Sequence, residues 1–146
     1  MATPSSTEPQ PPQLGPRPGD VIEFAFLWSH EAARGQVEAA KDRRCVVVRL
    51  LEGGARVAVV PITSAEPAHA FKVALTAGTL GLTRPSWIVA NEINITEWPG
   101  HDLRPASAPV GAFWRYGALS DRRLAELADV LGRALRSRGA TLTPRT

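Results

Sequence analysis

The sequence contains few of the residues that build metal centres or covalent cross-links. Among its 146 residues there is one cysteine, Cys45, and there are three histidines. A single cysteine excludes an internal disulfide, and no CxxC or HExxH spacing is present to hold zinc. We therefore expect neither a bound metal nor another cofactor.

Long apolar runs are also missing. No stretch approaches the roughly 20 apolar residues of a membrane-spanning helix, and the N-terminus lacks the basic-then-apolar order of a secretory signal. We therefore expect a soluble, cytoplasmic protein with no membrane partner. The 17 basic and 14 acidic residues give a net charge of +3, which permits an anionic partner without requiring one.

Proline is concentrated at the N-terminus, where six of the 13 prolines fall within the first 18 residues. Residues 1–17 carry too little apolar surface to offset the chain entropy lost on ordering, which predicts a disordered, Pro-rich tail. We interpret it as a solubilising tail, with a ligand for a proline-binding partner as the alternative. The remaining length suits one domain, which we place at residues 18–139, followed by a flexible C-terminus at 140–146.

Alternating and β-branched segments predict a mainly β fold. Apolar and polar residues alternate over residues 22–26, and two apolar runs, 45–51 and 56–62, flank the turn residues Glu52 to Gly54. This pattern predicts a β-hairpin, in which Pro61 should stop the pairing near Thr63 because it has no N–H to donate. Weaker strands are predicted over residues 71–75, 87–95 and 112–116.

One amphipathic helix is predicted near the end of the chain, from Leu119 to Arg138. Leucines and alanines recur there at helical spacing, Ser120 is a suitable N-cap, and Gly139 is a suitable C′ residue. Residues 29–42 show no sustained apolar stripe and are predicted as a long loop, with at most a helical turn. Strands followed by one helix indicate a small antiparallel barrel or curled sheet.

Five short motifs occur along the chain in a fixed order. They are GDVI at 19–22, RRCVVV at 43–48, VVPITS at 59–64, SWIVANEI at 86–93 and ALSD at 118–121 before the helix. Over about residues 18 to 138, this order resembles the MazF/PemK family of toxin endoribonucleases, within the plasmid maintenance toxin and cell growth inhibitor superfamily. The resemblance implies an SH3-like barrel of about five to seven short antiparallel strands with a C-terminal α-helix.

The same resemblance implies a function. It predicts a sequence-selective, metal-independent endoribonuclease of a type II toxin-antitoxin module, which cleaves single-stranded RNA by 2′-hydroxyl attack. The implied partners are single-stranded RNA, a cognate antitoxin protein and a second copy of the chain in a homodimer. The family's catalytic arginine and threonine fall on Arg43 and Thr63. Because the family usually has Arg-Pro where this chain has Arg43-Arg44, Arg44 is the alternative residue facing the site.

RNA cleavage by 2′-hydroxyl attack is chemistry that an arginine and a threonine can support. Attack by the 2′-hydroxyl requires no protein nucleophile, but charge on the phosphoryl oxygens must be stabilised, which a guanidinium does with two charge-assisted hydrogen bonds. A nearby hydroxyl can hold a phosphate oxygen or relay a proton. Arg43 and Thr63 each lie ten residues from Gly53, so an antiparallel hairpin should place them opposite each other.

Other residues are weaker candidates for catalysis or RNA contact. Asp20 precedes the first strand, His30 lies on the long loop and belongs to a residue type that often serves as a general base, and Ser64 follows Thr63. Trp28 and Trp98 flank the two long loops and could stack on RNA bases. Each also has a purely structural interpretation, as a turn residue, a surface histidine or a packed aromatic side chain.

A second interpretation of the sequence assigns the chain to a different class of function. The chain would then be a non-catalytic SH3-like barrel with a binding or regulatory role, or a CcdB-like inhibitor of DNA gyrase. The altered loop at residues 29–42 and the unusual Arg43-Arg44 pair favour this alternative.

Overall fold

The computed structural model describes residues 15–39 and 41–145. Most of the predicted Pro-rich tail, residues 1–14, lies outside the described residues. Nine strands and two α-helices occur in the described ranges, in the order β1 (Asp20–Phe24), α1 (Ser29–Ala33), β2 (Arg43–Leu51), β3 (Arg56–Thr63), β4 (Lys72–Leu75), β5 (Ser86–Val89), β6 (Glu92–Glu97), β7 (Leu103–Arg104), β8 (Arg115–Ala118), α2 (Asp121–Arg136) and β9 (Thr141–Pro144). Neither helix of this part of the chain is long and apolar enough to cross a membrane.

The predicted hairpin forms the centre of the sheet. Strands β2 and β3 pair antiparallel, with Cys45 opposite Pro61 and Val46 opposite Val60. Glu52–Gly54 connects them as one short 3-10 turn, in which Gly53 and Gly54 adopt positive φ angles that other residues rarely tolerate. Pairing ends at Thr63, as the position of Pro61 predicted.

The far edge of β3 changes partner at the proline. There β3 pairs with β6 up to Val59 opposite Asn94, and with β5 from Ile62 opposite Ile88. Between these two pairs, the segment that joins β5 to β6 contains three more residues than the part of β3 that it faces. The single strand predicted over 87–95 is therefore wrong: it is two strands, because Pro61 cannot donate to a continuous ladder.

Side chains on the two faces of the sheet form two separate apolar clusters. Val21, Val46 and Val60 point to the face that is covered by Leu127 and Val130 of helix α2. The residues adjacent to them in β1 and β2, Ile22 and Cys45, point to the opposite face with Trp114. The alternation follows from the two-residue period of a strand, and it is the reason that consecutive residues at the end of β2 can reach different parts of the molecule.

Ser120 caps helix α2 as predicted, but the helix spans Asp121–Arg136 rather than Leu119 to Arg138. The Ser120 hydroxyl accepts a hydrogen bond from the Arg123 N–H at the N-cap. At the other end Arg138, with φ of 60°, is the C′ residue, so the prediction of Gly139 at C′ is wrong. Gly139 lies one residue later, where its N–H donates to the Ala134 carbonyl. A Cβ at Gly139 would lie 2.8 Å from the Phe71 ring, so close packing accounts for the glycine.

Thr141–Pro144 forms strand β9, so most of the segment 140–146 that was predicted to be flexible is a strand, and Thr146 lies outside the described residues. Strand β9 pairs with β6, and it makes this pair the parallel exception in an antiparallel sheet. Arg145 follows β9 and forms a buried ion pair with Asp102, with Nη2 2.9 Å from Oδ1. The mainly β fold with a helix near the C-terminus is confirmed, and residues 15–39 and 41–145 contain nine strands where about five to seven were predicted.

Candidate functional site

Arg43 and Thr63 lie at the open end of the central hairpin. Because Cys45 is opposite Pro61, the same register carried two residues further places Arg43 opposite Thr63. The Arg43 Nη1 donates to the carbonyl oxygen of Ile62 at 3.3 Å, which links the arginine to the strand that carries the threonine. The structure therefore brings together the two residues that the resemblance singled out.

The guanidinium of Arg43 is held over an aromatic ring. Its Cζ lies 5.1 Å from the ring centroid of Trp28, close enough for a favourable cation–π contact. Its Nε is buried and has no hydrogen-bond partner among the residues that the structure describes. The orientation of Arg43 is therefore fixed by Trp28 and Ile62, and its unpartnered Nε is closed to solvent.

Arg44 makes a different set of contacts. Its Cζ lies 4.0 Å from the ring centroid of Tyr116, and its Nε and Nη2 donate to the carbonyl oxygens of Leu80 and Gly81 at 3.1 and 3.3 Å. These contacts attach the loop between β4 and β5 to the sheet. We conclude that Arg44 is mainly occupied in holding that loop.

Both arginines line one cleft, which we call the arginine cleft, with a volume of about 400 Å³. Thr63 and Ser64 form part of its wall. Its charged lining residues are four cations and one carboxylate: Lys41, Arg43, Arg44, Arg84 and Asp42. The excess of positive charge favours a polyanion over a neutral ligand.

The two hydroxyl groups at the end of β3 differ in their surroundings. The Thr63 Oγ1 accepts a hydrogen bond from the Ala65 N–H at 3.2 Å, which fixes the side chain and leaves the hydroxyl hydrogen able to donate. Ser64 is exposed. Thr63 also lines a second cavity of about 400 Å³, the side pocket, together with Trp28, His69 and Asn91.

Two polar residues of β6 hold the segment that carries Trp28. The buried Asn94 side chain accepts from the Leu27 N–H at 2.9 Å and donates to the Leu27 carbonyl at 2.8 Å. Glu92 accepts from the N–H and the hydroxyl of Ser29, at 2.9 and 2.6 Å. Sequence reasoning did not assign these roles, although two polar residues inside an apolar strand are a signal that buried partners exist.

The remaining candidate on the loop, His30, contributes to neither cavity. The predicted helical turn is present as α1, and His30 is exposed on it, with its ring centroid 6.4 Å from that of Trp28. His30 does not line the arginine cleft or the side pocket. His69, which was not among the candidates selected from the sequence, does line the side pocket.

Asp20 and Trp98 lie elsewhere. Asp20 is at the opposite end of β1 from the residue that pairs with Arg43, about 13 Å along the strand, and its Oδ1 accepts from the Nε of Arg115 at 3.0 Å. The Trp98 ring packs edge-on against Trp114, with centroids 4.8 Å apart, and the Trp98 backbone N–H donates to the Ala55 carbonyl beside the hairpin turn. Both side chains have structural partners away from the cleft.

One titratable group beside the site is strongly perturbed. Burial raises the pKa of the Cys45 thiol well above its usual value, against a smaller opposing effect of the Arg43 charge. The thiol therefore remains protonated at neutral pH and is a poor nucleophile. Its place is in the apolar cluster below Arg43 and Trp28.

Comparison with solved structures identifies the architecture. A mycobacterial endoribonuclease in complex with its cognate antitoxin aligns over 84% of this chain and 96% of its own, with a TM-score of 0.59 and 14% identity. The Mycobacterium tuberculosis toxin MazF-mt6 aligns over 82% and 97%, with a TM-score of 0.55 and 22% identity. This chain has the fold of the MazF toxins.

A third MazF structure extends this result. The MazE-MazF structure from Deinococcus radiodurans, crystal form II, aligns over 88% of this chain and 99% of that chain, with a TM-score of 0.57 and 17% identity. No model of a known protein family and no curated protein matches the sequence. The resemblance to MazF toxins is therefore confirmed in the fold. Because the sequence identity to these structures is low, the comparison supports a conclusion about the fold alone.

Proposed function

We propose that this MazF-fold chain is a sequence-selective, metal-independent endoribonuclease, the toxin of a type II toxin-antitoxin module that acts on single-stranded RNA in the cytoplasm. The observation that carries the proposal is that Arg43, bonded to the carbonyl oxygen of Ile62 next to Thr63, shares with Thr63 a cleft lined by four cations and one carboxylate. A guanidinium and a hydroxyl beside each other are suited to a phosphodiester.

In the proposed reaction the ribose 2′-oxygen attacks the adjacent phosphorus, and the bond to the 5′-oxygen breaks. The 2′-hydroxyl loses its proton, the 5′-oxygen gains one, and the products are a 2′,3′-cyclic phosphate and a 5′-hydroxyl. Arg43 stabilises the negative charge on the phosphoryl oxygens, since its half-buried side chain lines the cleft. The Thr63 hydroxyl donates to a phosphate oxygen while its own oxygen accepts from Ala65.

The other cations of the cleft bind the RNA backbone. Lys41 and Arg84 are exposed at its edge, and each phosphate that they neutralise releases counterions, so affinity should fall steeply as salt rises. We further propose that the active species is a homodimer and that a cognate antitoxin protein covers the cleft. Sedimentation of the purified chain at micromolar concentration tests the dimer, which a 15.7 kDa species alone would contradict.

The decisive experiment is to incubate the purified protein with unstructured RNA in the presence of EDTA. We expect fragments that end in 2′,3′-cyclic phosphate and begin with 5′-hydroxyl. RNA that stays intact, with a protein preparation shown to be folded and free of antitoxin, would contradict the proposal. Growth arrest accompanied by DNA damage without loss of RNA would instead support a CcdB-like inhibitor of gyrase.

A further inference from the structure

Strand β6 carries two polar side chains, Glu92 and Asn94, which we call the β6 clamp. They flank Ile93, which points to helix α2, so both point to the opposite face of the sheet. We infer that the clamp positions the reaction centre: through Trp28 it fixes the orientation of the Arg43 guanidinium and sets the rate of cleavage rather than the affinity for RNA. The inference rests on the proposed function, because it takes Arg43 to stabilise the reacting phosphate.

The hydrogen bonds of the clamp lie on both sides of Trp28 in the sequence. The fully buried Asn94 accepts from the Leu27 N–H at 2.9 Å and donates to the Leu27 carbonyl at 2.8 Å. Glu92 accepts from the Ser29 N–H with one oxygen and from the Ser29 hydroxyl with the other, at 2.9 and 2.6 Å. The residues before and after Trp28 are therefore both attached to the same strand.

Side chains take the place of a strand partner in this segment. Residues 25–28 follow β1 but belong to no strand, and the Trp28 N–H donates to the Glu31 side chain at 3.0 Å. A hydrogen bond has a defined direction, and a fully satisfied buried polar network specifies one position where apolar packing allows several. Burying polar groups is also expensive, so apolar side chains on β6 would fill this space at lower cost. The position of Trp28 is therefore specified more closely than stability alone requires.

The Trp28 ring in turn supports the Arg43 guanidinium. The ring packs edge-on against the buried Phe26 ring, with centroids 5.4 Å apart, and the Arg43 Cζ lies 5.1 Å from its centroid. The Arg43 Nη1 reaches the Ile62 carbonyl at 3.3 Å, which is longer than most N–H···O hydrogen bonds. The aromatic ring is therefore a main support of the guanidinium, and a shift of Trp28 changes the direction of the Arg43 donors.

This direction matters for the rate, because a transition state is stabilised by donors that are already in place. A displacement of about 1 Å can reduce a rate about a hundredfold. The affinity for RNA depends mainly on phosphate neutralisation by the cations of the arginine cleft, and a tilt of one guanidinium leaves their charge unchanged. Loss of the clamp should therefore lower the rate of cleavage more than it weakens binding.

The first test compares Glu92→Ala with Glu97→Ala. Each substitution removes one carboxylate from β6, but Glu97 is exposed at the end of the strand. In single-turnover cleavage at saturating RNA, we expect Glu92→Ala to lower the rate by about 10- to 100-fold and Glu97→Ala to change it by less than about twofold. Affinity for a single-stranded 2′-O-methyl RNA, in which the attacking oxygen is blocked, should change by less than about threefold in both variants.

Conservative variants show whether the hydrogen bonds of the clamp are responsible. In Glu92→Gln the carboxamide oxygen can accept from the Ser29 N–H while its NH2 group donates to the Ser29 hydroxyl, so the rate should stay within about threefold of wild type. Ser29→Ala removes the hydroxyl contact alone and should give a smaller loss than Glu92→Ala, so the test does not depend on the folding of Glu92→Ala. A loss in Glu92→Gln as large as in Glu92→Ala would contradict the inference.

Nuclear magnetic resonance reports the orientation of Arg43 without RNA. The Arg43 Nε is closed to solvent, so its proton exchanges slowly with water, and the ring current of Trp28 shifts its resonance. The resonance is identified by its absence from Arg43→Lys. It should move in Glu92→Ala and stay in place in Glu92→Gln and Glu97→Ala. An unmoved resonance in Glu92→Ala would overturn the inference even if the rate falls.

A double-mutant cycle tests whether Glu92 acts through Trp28. Trp28→Leu should lower the rate about as much as Glu92→Ala, since each variant releases the guanidinium. The double variant should be no slower than the slower single variant, because without the ring the clamp no longer affects Arg43. Losses that multiply would show independent contributions and contradict the inference.

Failure of the proposed function and failure of this inference give different results. If the wild type leaves RNA intact, the endoribonuclease is contradicted, and the Arg43 resonance alone decides whether the clamp orients the guanidinium. If the wild type cleaves RNA while Glu92→Ala binds RNA more weakly at an unchanged rate, the endoribonuclease is supported and Glu92 contacts RNA directly. That second result would overturn the inference.

Discussion

Arg43 and Arg44 leave strand β2 on opposite faces of the sheet, and each lies over a different aromatic ring. Arg43 contacts Trp28 on the face that includes Cys45, and Arg44 contacts Tyr116 on the face that includes Val46. Arg44 also donates to two carbonyl groups of the β4–β5 loop. Both arginines line the arginine cleft, but Arg44 also holds the β4–β5 loop, so the two adjacent arginines have separable roles.

Arg44→Ala should reduce stability. The variant loses a cation–π contact and two hydrogen bonds on a half-buried side chain, which together are worth about 1 to 2 kcal/mol of unfolding free energy. Urea denaturation measures the change. Arg49→Ala is the matched control, since Arg49 is exposed on the same strand, and it should shift stability by less than about 0.5 kcal/mol. Equal effects of the two substitutions would contradict the role given to Arg44.

Asn94→Ala should destabilise the protein more strongly, by about 2 to 4 kcal/mol, because it leaves the buried N–H and carbonyl of Leu27 without partners. Asn91→Ala is a matched control, because no hydrogen bond holds the Asn91 oxygen, and its cost should stay below about 1 kcal/mol. Thermal or urea unfolding compares the two. A similar cost for both would show that the Leu27 contact contributes little.

Arg145→Met should cost about 3 to 5 kcal/mol, because it leaves the Asp102 carboxylate buried without its cation. Adding Asp102→Leu should recover most of the loss, since an apolar pair replaces the ion pair without leaving a charge behind. The unfolding free energies of the two single variants and the double variant provide the measurement. Simple addition of the two single losses in the double variant would contradict a direct pairing.

The only cysteine gives a pH-dependent prediction. Because the pKa of Cys45 is raised in the folded state, the folded chain keeps its thiol proton at a pH where the unfolded chain, with a thiol pKa of about 8.5, has lost it. Stability should therefore be unaffected below that pH and fall above it, by about 1 kcal/mol at about pH 9.5. Cys45→Ala should lack this part of the alkaline loss, and an identical pH profile for the variant would refute the assignment.

The hairpin was predictable because its information is local. The glycines of the turn, the two β-branched runs and Pro61 lie within about twenty residues of one another, so the hairpin itself could be predicted. Counting did not reveal the register shift between Val47 and Arg49, and this irregularity is what brings the end of β2 into line with Thr63. The face on which each arginine lies also follows from the alternation of a strand. The aromatic ring that each arginine contacts does not follow from this alternation, since Trp28 and Tyr116 come from distant segments.

Long-range contacts account for what the sequence did not predict. Asn94 bonds to a residue 67 positions away, and Asp102 pairs with one 43 positions away. Strand β9 has little strand pattern of its own and depends on the free edge of β6. The break between β5 and β6 depends on a proline in a neighbouring strand, so no periodicity within residues 87–95 could reveal it.

The most direct test of the account is the single-turnover rate of RNA cleavage in EDTA for the wild type, Arg43→Ala and Arg44→Ala, compared at a temperature where all three are folded. The account predicts a loss of about 10²- to 10³-fold for Arg43→Ala, the scale for removing one preorganised donor to a transition-state oxyanion. Arg44→Ala should retain its rate within about tenfold. The reverse order, or small and equal effects of both, would contradict the assignment of the phosphate to Arg43.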